Sequence, residues 1–184
     1  GAAVIITERD LGLPNQIIVS DTHAAYADMC AKWFGNPAES LKLLGVTGTN
    51  GKTSVTYMMK KILEKAGYKV GLIGTIQNMI GDEIIAAHNT TPNAYELNSL
   101  FALMKAKGCT YVIMEVSSHA LDQSRVYRLN FEAAMFTNLT SQVSVRLPVL
   151  PYAGSPRLPY YNGKLSCGKE KAFRYVQNRG YKQR

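Results

Sequence analysis

The sequence has few cysteines and no long run of apolar residues. Cys30, Cys109 and Cys167 lie far apart among 184 residues and lack the paired spacing of a metal site, which favours free thiols in a reducing compartment over disulfides. No apolar stretch approaches the roughly eighteen residues that cross a bilayer. We therefore expect a soluble, cytoplasmic protein with no membrane partner, long enough for one large domain or slightly more.

Acidic residues are almost absent from the last quarter of the chain. Residues 141–184 hold nine Lys or Arg and a single acid, Glu170, whereas residues 1–140 hold twelve of each sign. The net charge of +8 therefore arises entirely after position 140. Four of the seven prolines fall between 148 and 159, and no helical or strand period persists there. Such a segment could bind nucleic acid or another anionic partner, or it could be foreign to the fold.

What the sequence does contain is a glycine-rich segment, Gly45-Val46-Thr47-Gly48-Thr49-Asn50-Gly51-Lys52-Thr53-Ser54, between an apolar run and an amphipathic one. A glycine-rich turn from strand to helix lets backbone N–H groups close on phosphate oxygens. Lys52 would reach the β- and γ-phosphates, and the Thr53 hydroxyl would bind Mg²⁺. The alternative, an ordinary turn with a solvated lysine, does not explain three glycines at regular spacing.

Strands and helices alternate from residue 41 onward. The pattern predicts strands at 41–46, 69–76, 110–117 and 132–137, with helices at 53–66, 93–107 and 119–129. This is typical of an α/β protein with a doubly wound, mostly parallel sheet, whose ligands bind at the carboxyl ends of the strands. Before it we expect two short strands, 2–6 and 16–19, and a helix capped by Asp21.

Apolar spacing predicts which helix faces are buried, and Thr91-Pro92 is predicted to cap the helix at 93–107. The first helix carries the apolar residues Ala24, Ala25, Met29 and Trp33. One face of the next helix holds Val55, Met58, Met59, Ile62 and Ala66, and one face of the third holds Leu97, Leu100, Phe101 and Met104; these two faces are predicted to be buried.

A second group of polar residues follows a buried strand. The strand ends in Glu115, whose carboxylate would lie near the phosphate loop and could bind Mg²⁺, although it could instead cap the next helix. Ser117 and Ser118 follow it, and we expect capping or polar ligand contacts from their hydroxyls rather than nucleophilic catalysis. We expect His119 to be hydrogen-bonded within the fold or to support the site, and not to act as a base or a metal ligand. No catalytic role is assigned to His119.

Two further groups leave their alternatives open. Asn89, Thr90 and Thr91 could bind an anionic or amide-rich ligand, or could be no more than a helix cap with its turn. Arg125, two residues after Gln123, could bind a carboxylate or phosphate, although the residues alone favour solvent exposure.

These motifs, in this order, closely resemble those of the Mur ligases over about residues 1–140. The matching segments are Gly48 to Ser54, Asn89-Thr90-Thr91-Pro92, Met114-Glu115-Val116-Ser117-Ser118-His119-Ala120-Leu121 with Gln123 and Arg125, and Phe136-Thr137-Asn138-Leu139-Thr140. The segment around Glu115 is most similar to the members that add the third residue to a UDP-N-acetylmuramoyl dipeptide.

The resemblance implies an ATP-dependent ligase of peptidoglycan synthesis that adds a diamino acid to UDP-N-acetylmuramoyl-L-alanyl-D-glutamate through an acyl phosphate. It implies that Gly48, Thr49, Asn50, Gly51, Lys52, Thr53 and Ser54 contact ATP, and that Thr53 and Glu115 bind Mg²⁺. Lys52 and Glu115 would be catalytic, because a carboxylate must attack a triphosphate of the same charge. Asn89, Thr90, Thr91, Ser117, Gln123 and Arg125 would contact the UDP-linked peptide.

The chain also departs from the family. Residues 141–146 lack the motif that the resemblance leads us to expect next, and we expect the amino-acid-binding domain of the family to be missing from this chain. We therefore predict a remnant of the UDP-binding domain at 1–40, an incomplete central domain at 41–140 and an atypical basic tail at 141–184, in a monomer that does not complete ligation alone. The alternative function is an ATP-binding protein without ligase activity whose tail binds an anionic partner; nucleic acid is not favoured. The choice between meso-diaminopimelate and L-lysine cannot be predicted.

Overall fold

The computed structural model describes residues 1–138, so the basic tail predicted at 141–184 lies outside the described residues. The elements are β1 Ile5–Thr7, β2 Gln16–Ile18, α1 Thr22–Trp33, a 3-10 helix Pro37–Ser40, β3 Lys42–Thr47, α2 Lys52–Lys65, β4 Val70–Ile73, β5 Gln77–Ile80, β6 Glu83–Ala86, α3 Ala94–Ala106, β7 Tyr111–Glu115, α4 Ser118–Asp122 and β8 Phe131–Phe136. In this part of the chain no helix is long and apolar enough to span a membrane.

A six-stranded sheet in the order β6-β5-β4-β7-β3-β8 forms the centre of the molecule. Its four strands β4, β7, β3 and β8 are parallel, and β5 and β6 are antiparallel. The carboxyl ends of β3 and β7 therefore lie side by side at one edge of the sheet. The predicted doubly wound, mostly parallel α/β fold is confirmed.

Alternate residues of the buried strands face two separate cores. Leu43 of β3 belongs to a core that contains Phe101 of α3, whereas Leu44 belongs to a core against which Met59 of α2 packs. Because side chains alternate along a strand, the sheet is covered on both faces. The prediction that Leu97, Phe101 and Met104 are buried is confirmed, and Leu100 packs partly buried beside them.

Strands β5 and β6 were not predicted. They form a hairpin in which Ile80 pairs with Glu83, so that Gly81 and Asp82 make a two-residue turn. Gly81 has a φ of +58°, which glycine adopts without strain. A Gly-Asp dipeptide between two short apolar runs is a known hairpin signal, so the sequence did contain the information.

The buried face of α2 agrees with the prediction only in part: Val55 and Met59 pack partly buried against the core that contains Leu44, but the other three predicted residues are exposed. Met58 and Ile62 are 63% and 65% exposed, and Ala66 is also exposed. The helix instead buries Thr56 and Lys60, with Lys60 paired to Glu64 one turn further on. Tyr57 and Leu63 also pack partly buried against that core, so the buried stripe of α2 is rotated away from Met58 and Ile62.

The first helix buries small residues and leaves its large apolar side chains exposed. Asp21 caps α1 as predicted and accepts from the Ala24 N–H at 3.0 Å, but Trp33 is 81% exposed and Met29 47%. Ala27 and Cys30 are the buried residues, in a cluster with Ala94 of α3. The small side chains let the two helices approach closely.

Two helix boundaries need correction. The cap of α3 is Asn93, which accepts from the Glu96 N–H at 2.9 Å, and not Thr91. The helix predicted at 119–129 ends at Asp122, because Ser124 and Arg128 take left-handed conformations with φ of 53° and 57°.

The predicted free thiols are confirmed for Cys30 and Cys109, which are both buried. Burial raises the pKa of the Cys109 thiol, which makes that thiol a poor nucleophile. Cys167 lies outside the described residues.

Candidate nucleotide-phosphate site

The glycine-rich loop joins β3 to α2 at the carboxyl edge of the sheet. Gly51 caps α2 with a φ of +83°, a conformation that favours glycine. The Lys52 amino group donates to the Gly48 carbonyl at 2.9 Å and to the Thr49 carbonyl at 3.2 Å, so it lies across the loop. The first N–H groups of α2 have no intrahelical acceptors and point out of the helix end, which gives the site a positive partial charge.

Glu115 is the last residue of β7, the strand beside β3, and its side chain is 1% exposed. One carboxylate oxygen, Oε1, accepts from the Thr53 hydroxyl at 2.9 Å. The two residues that were predicted to bind Mg²⁺ are therefore in direct contact.

The contact between Thr53 and Glu115 has the length of a hydrogen bond, and this length is also compatible with two neighbouring ligands of one Mg²⁺. Neighbouring oxygens around Mg²⁺ are about 3 Å apart when the metal–oxygen distance is about 2.1 Å, and the two side-chain oxygens are 2.9 Å apart. No group of three or more His, Cys, Asp or Glu that could hold a metal occurs within residues 1–138.

Thr75, a residue that the sequence did not single out, holds the Glu115 carboxylate. The Thr75 N–H donates to Oε1 at 3.1 Å and the Thr75 hydroxyl to Oε2 at 2.9 Å. The preceding residue, Gly74, lets the carboxylate lie against the backbone, because a Cβ there would lie 2.6 Å from Oε1 and the carboxylate would have to shift. The sequence signal that could have indicated Thr75 is the Gly-Thr dipeptide directly after β4. In the sheet β4 lies beside β7, on the side away from β3.

The residues predicted to contact the UDP-linked peptide lie on the far side of Glu115. Thr90 Oγ1 is 3.0 Å from the Thr75 hydroxyl. Thr91 is 1% exposed, and its hydroxyl donates to the Glu115 carbonyl at 2.8 Å and accepts from the Ser117 N–H at 3.0 Å. The Thr91 hydroxyl therefore holds two segments of the site together.

Arg125 and Gln123 extend this group. Arg125 Nη1 donates to the Thr91 carbonyl at 2.8 Å, while Nε and Nη2 donate to Gln123 Oε1 at 2.9 and 2.6 Å. Ser117 caps α4 through a bond from the Ala120 N–H at 3.2 Å. Asn89 is exposed and joins the group only as the neighbour of Thr90.

Thr137 and Asn138, directly after β8, touch the glycine-rich loop. The Thr137 hydroxyl donates to the Asn50 carbonyl at 2.7 Å, and the Asn138 amide also bonds the Asn50 backbone. The sequence motif containing them was recognised, but neither residue was predicted to belong to the site.

The glycine-rich loop lies between a parallel strand and a helix, and a buried carboxylate ends the strand beside it in the sheet. This arrangement defines an α/β protein of the phosphate-binding-loop class. The family model of the Mur ligase middle domain matches residues 46–142, more than half of the chain. The chain therefore belongs to the Mur ligase family, as the resemblance indicated.

The relatives are named for one reaction. The chain is 50% identical over 143 residues to the UDP-N-acetylmuramoyl-L-alanyl-D-glutamate–2,6-diaminopimelate ligase of Caldanaerobacter subterraneus subsp. tengcongensis. It is 51% identical over 146 residues to the ligase of the same name from Clostridium botulinum. Each match covers 76% of this chain and 30% of the relative, so the chain spans less than a third of the length of these curated relatives.

A solved structure of a ligase of that name is also similar. It aligns with a TM-score of 0.66 and 26% identity over 84% of this chain and 30% of its own. The fold and the family assignment therefore agree.

Proposed function

We propose that this chain carries the ATP-phosphate site, and part of the acceptor site, of a ligase that adds a diamino acid to UDP-N-acetylmuramoyl-L-alanyl-D-glutamate in peptidoglycan synthesis. The contact between Thr53 and the buried Glu115 beside the glycine-rich loop is the observation that carries the proposal. The names of relatives that are about half identical over 143 to 146 residues support the substrate class. Family membership does not favour the alternative of a tail-dependent anion-binding protein.

In this proposal Gly48 to Ser54 surround the phosphates of ATP. Lys52 turns from the loop carbonyls to the β- and γ-phosphate oxygens, and Thr53 and Glu115 hold Mg²⁺. When bound, Mg²⁺ neutralises phosphate charge so that a substrate carboxylate can approach the γ-phosphate. Lys52 provides a second positive charge where the transferred group develops negative charge.

Asn89, Thr90, Thr91, Ser117, Gln123 and Arg125 are proposed to bind the UDP-linked peptide. The bond from Arg125 to the Thr91 carbonyl and its bonds to Gln123 support this, because they fix the guanidinium plane. A fixed guanidinium can present its remaining N–H groups to a carboxylate or phosphate.

We further propose a cytoplasmic location, which the buried free thiols Cys30 and Cys109 support.

Calorimetric titration of the full chain with ATP and Mg²⁺ tests the proposal. We expect binding that is lost on chelation of Mg²⁺ and weakened at least tenfold by Lys52→Ala. The matched control is Lys61→Ala, which removes an exposed lysine from the same helix and should leave the affinity within twofold. An absence of binding by the unmodified chain, or equal losses in the two variants, would contradict an ATP site at this loop.

A further inference from the structure

The segment that leaves β8 is hydrogen-bonded to the glycine-rich loop. Asn138 accepts from the Asn50 N–H through Oδ1 at 3.0 Å and donates from Nδ2 to the Asn50 carbonyl at 2.9 Å. Its own carbonyl accepts from the Thr49 N–H at 2.9 Å. One asparagine therefore holds two consecutive loop residues as a neighbouring strand would.

Thr137 adds a second attachment. Its N–H donates to the Thr47 carbonyl at 2.9 Å, which continues the β3–β8 ladder by one residue. Its hydroxyl donates to the Asn50 carbonyl at 2.7 Å. The Asn50 carbonyl thus receives bonds from both residues, and the middle of the loop is fixed relative to the sheet.

The fit between this segment and the loop is close enough to require glycine at position 48. A Cβ on Gly48 would lie 2.3 Å from Thr137 Oγ1 and 2.9 Å from the Asn138 carbonyl oxygen. Real Cβ atoms do not approach other heavy atoms to such distances. Part of the glycine motif is therefore explained by Thr137 and Asn138, and not by a phosphate.

The bonds also determine which loop N–H groups face a ligand. The N–H groups of Thr49 and Asn50 are directed to Asn138, whereas those at the start of α2 lie at the open helix end. An anion at this loop would therefore meet the N–H groups of residues 51–54 first.

We propose that Thr137 and Asn138 are positioning residues that hold residues 48–51 in the conformation that binds the nucleotide phosphates. The proposal rests on the proposed ATP site. It assigns to these two residues a role through the loop, without contact to the nucleotide.

Two matched substitutions at position 137 test the proposal in the full chain. Thr137→Val removes the hydroxyl at nearly constant volume, and Thr137→Ser keeps it. We expect the dissociation constant for MgATP to rise about tenfold in Thr137→Val, the value for one lost hydrogen bond, and to stay within twofold in Thr137→Ser. Equal affinities in both variants and the unmodified chain would overturn the proposal.

Amide hydrogen exchange provides a readout that does not depend on ATP. In Asn138→Ala we expect faster exchange at Thr49 and Asn50 and unchanged exchange in α3. Unchanged amide exchange at Thr49 and Asn50, or an equal increase in α3, would contradict the proposal that Asn138 holds the loop. If the unmodified chain fails to bind MgATP, the proposed function is wrong, and the exchange measurement still decides whether Asn138 fixes the loop.

Discussion

Thr75 holds Glu115 through two different groups, its backbone N–H on Oε1 at 3.1 Å and its hydroxyl on Oε2 at 2.9 Å. Oε1 also accepts a hydrogen bond from the Thr53 hydroxyl. A carboxylate that is 1% exposed needs such donors, because burial of an unpaired charge is costly. The orientation of the proposed metal ligand thus depends on a residue that follows a different strand.

Replacing Thr75 by valine should weaken both stability and Mg²⁺-dependent ATP binding. The hydroxyl bond to a charged group is lost while the N–H bond remains, which costs about 1.5–3 kcal/mol of unfolding free energy. Thr75→Ser, which keeps the hydroxyl, should stay within about 0.5 kcal/mol of the unmodified chain. Urea unfolding and calorimetry measure the two effects. A valine variant as stable as the serine variant would show that the hydroxyl does not support Glu115.

Gly48→Ala should destabilise the chain more than Gly51→Ala. Both glycines have positive φ, 134° and 83°, so alanine is strained at either position by about 1 kcal/mol or more. Only at Gly48 does the new Cβ also collide with Thr137 and Asn138; at Gly51 nothing lies within 4 Å. Thermal unfolding of the two variants measures the difference. Equal losses of stability in the two variants would mean that residues 137–138 can shift away from the new Cβ without a cost in free energy.

The adjacent methionines of α2 should differ in their effect on stability. Met58 is 63% exposed, so Met58→Ala should change the unfolding free energy by less than about 0.5 kcal/mol. Met59 packs against the core formed by Leu44, Val46 and their neighbours, so Met59→Ala should cost about 1–3 kcal/mol. Chemical denaturation of the pair tests the orientation of the helix. The sequence predicted both methionines on the buried face, so equal costs of the two substitutions would support that prediction, and a larger cost for Met58→Ala would contradict the structure.

The cap of α1 should make stability fall in acid. The Ala24 N–H bond lowers the pKa of the Asp21 carboxyl, so its folded value lies below its unfolded value near 4. Its contribution is therefore complete above pH of about 4 and is lost as pH falls through the lower, folded value. Glu8, Asp10 and Asp28 shift in the same direction.

Asp21→Asn separates the cap from the charge. Asparagine keeps the acceptor for the Ala24 N–H, so we expect a thermal midpoint close to that of the unmodified chain at pH 7 but a smaller fall between pH 5 and pH 3. Unchanged steepness of the acid transition in Asp21→Asn would assign the pH dependence to the other three carboxyl groups.

The elements that the sequence predicted well have strong local signals. β3, the glycine-rich loop and α2 follow from an apolar run, three glycines and a helical period, and Glu115 ends a strand that is buried on both faces. Each of these signals lies within about ten residues, so the sequence sufficed to predict the loop and its carboxylate on the same edge of the sheet.

What the sequence did not predict depends on packing or on distant contacts. Met58 and Met59 of α2 are adjacent residues of the same type, but Met58 points to solvent and Met59 packs against the core. Thr75 bonds Glu115 across 40 positions and Asn138 bonds Asn50 across 88. No periodicity or short motif reports such pairs, because the partners meet only after the strands have been ordered in the sheet.

The strand order also has a consequence for biosynthesis. β3 pairs with β7 and β8 and not with β4, the next strand in the chain. On a ribosome that adds about 5–20 residues per second, the 88 positions between Asn50 and Asn138 correspond to roughly 4 to 18 seconds. During that interval the loop lacks its bonds to Thr137 and Asn138, so we expect nucleotide to bind the nascent chain more weakly than it binds after β8 has joined the sheet.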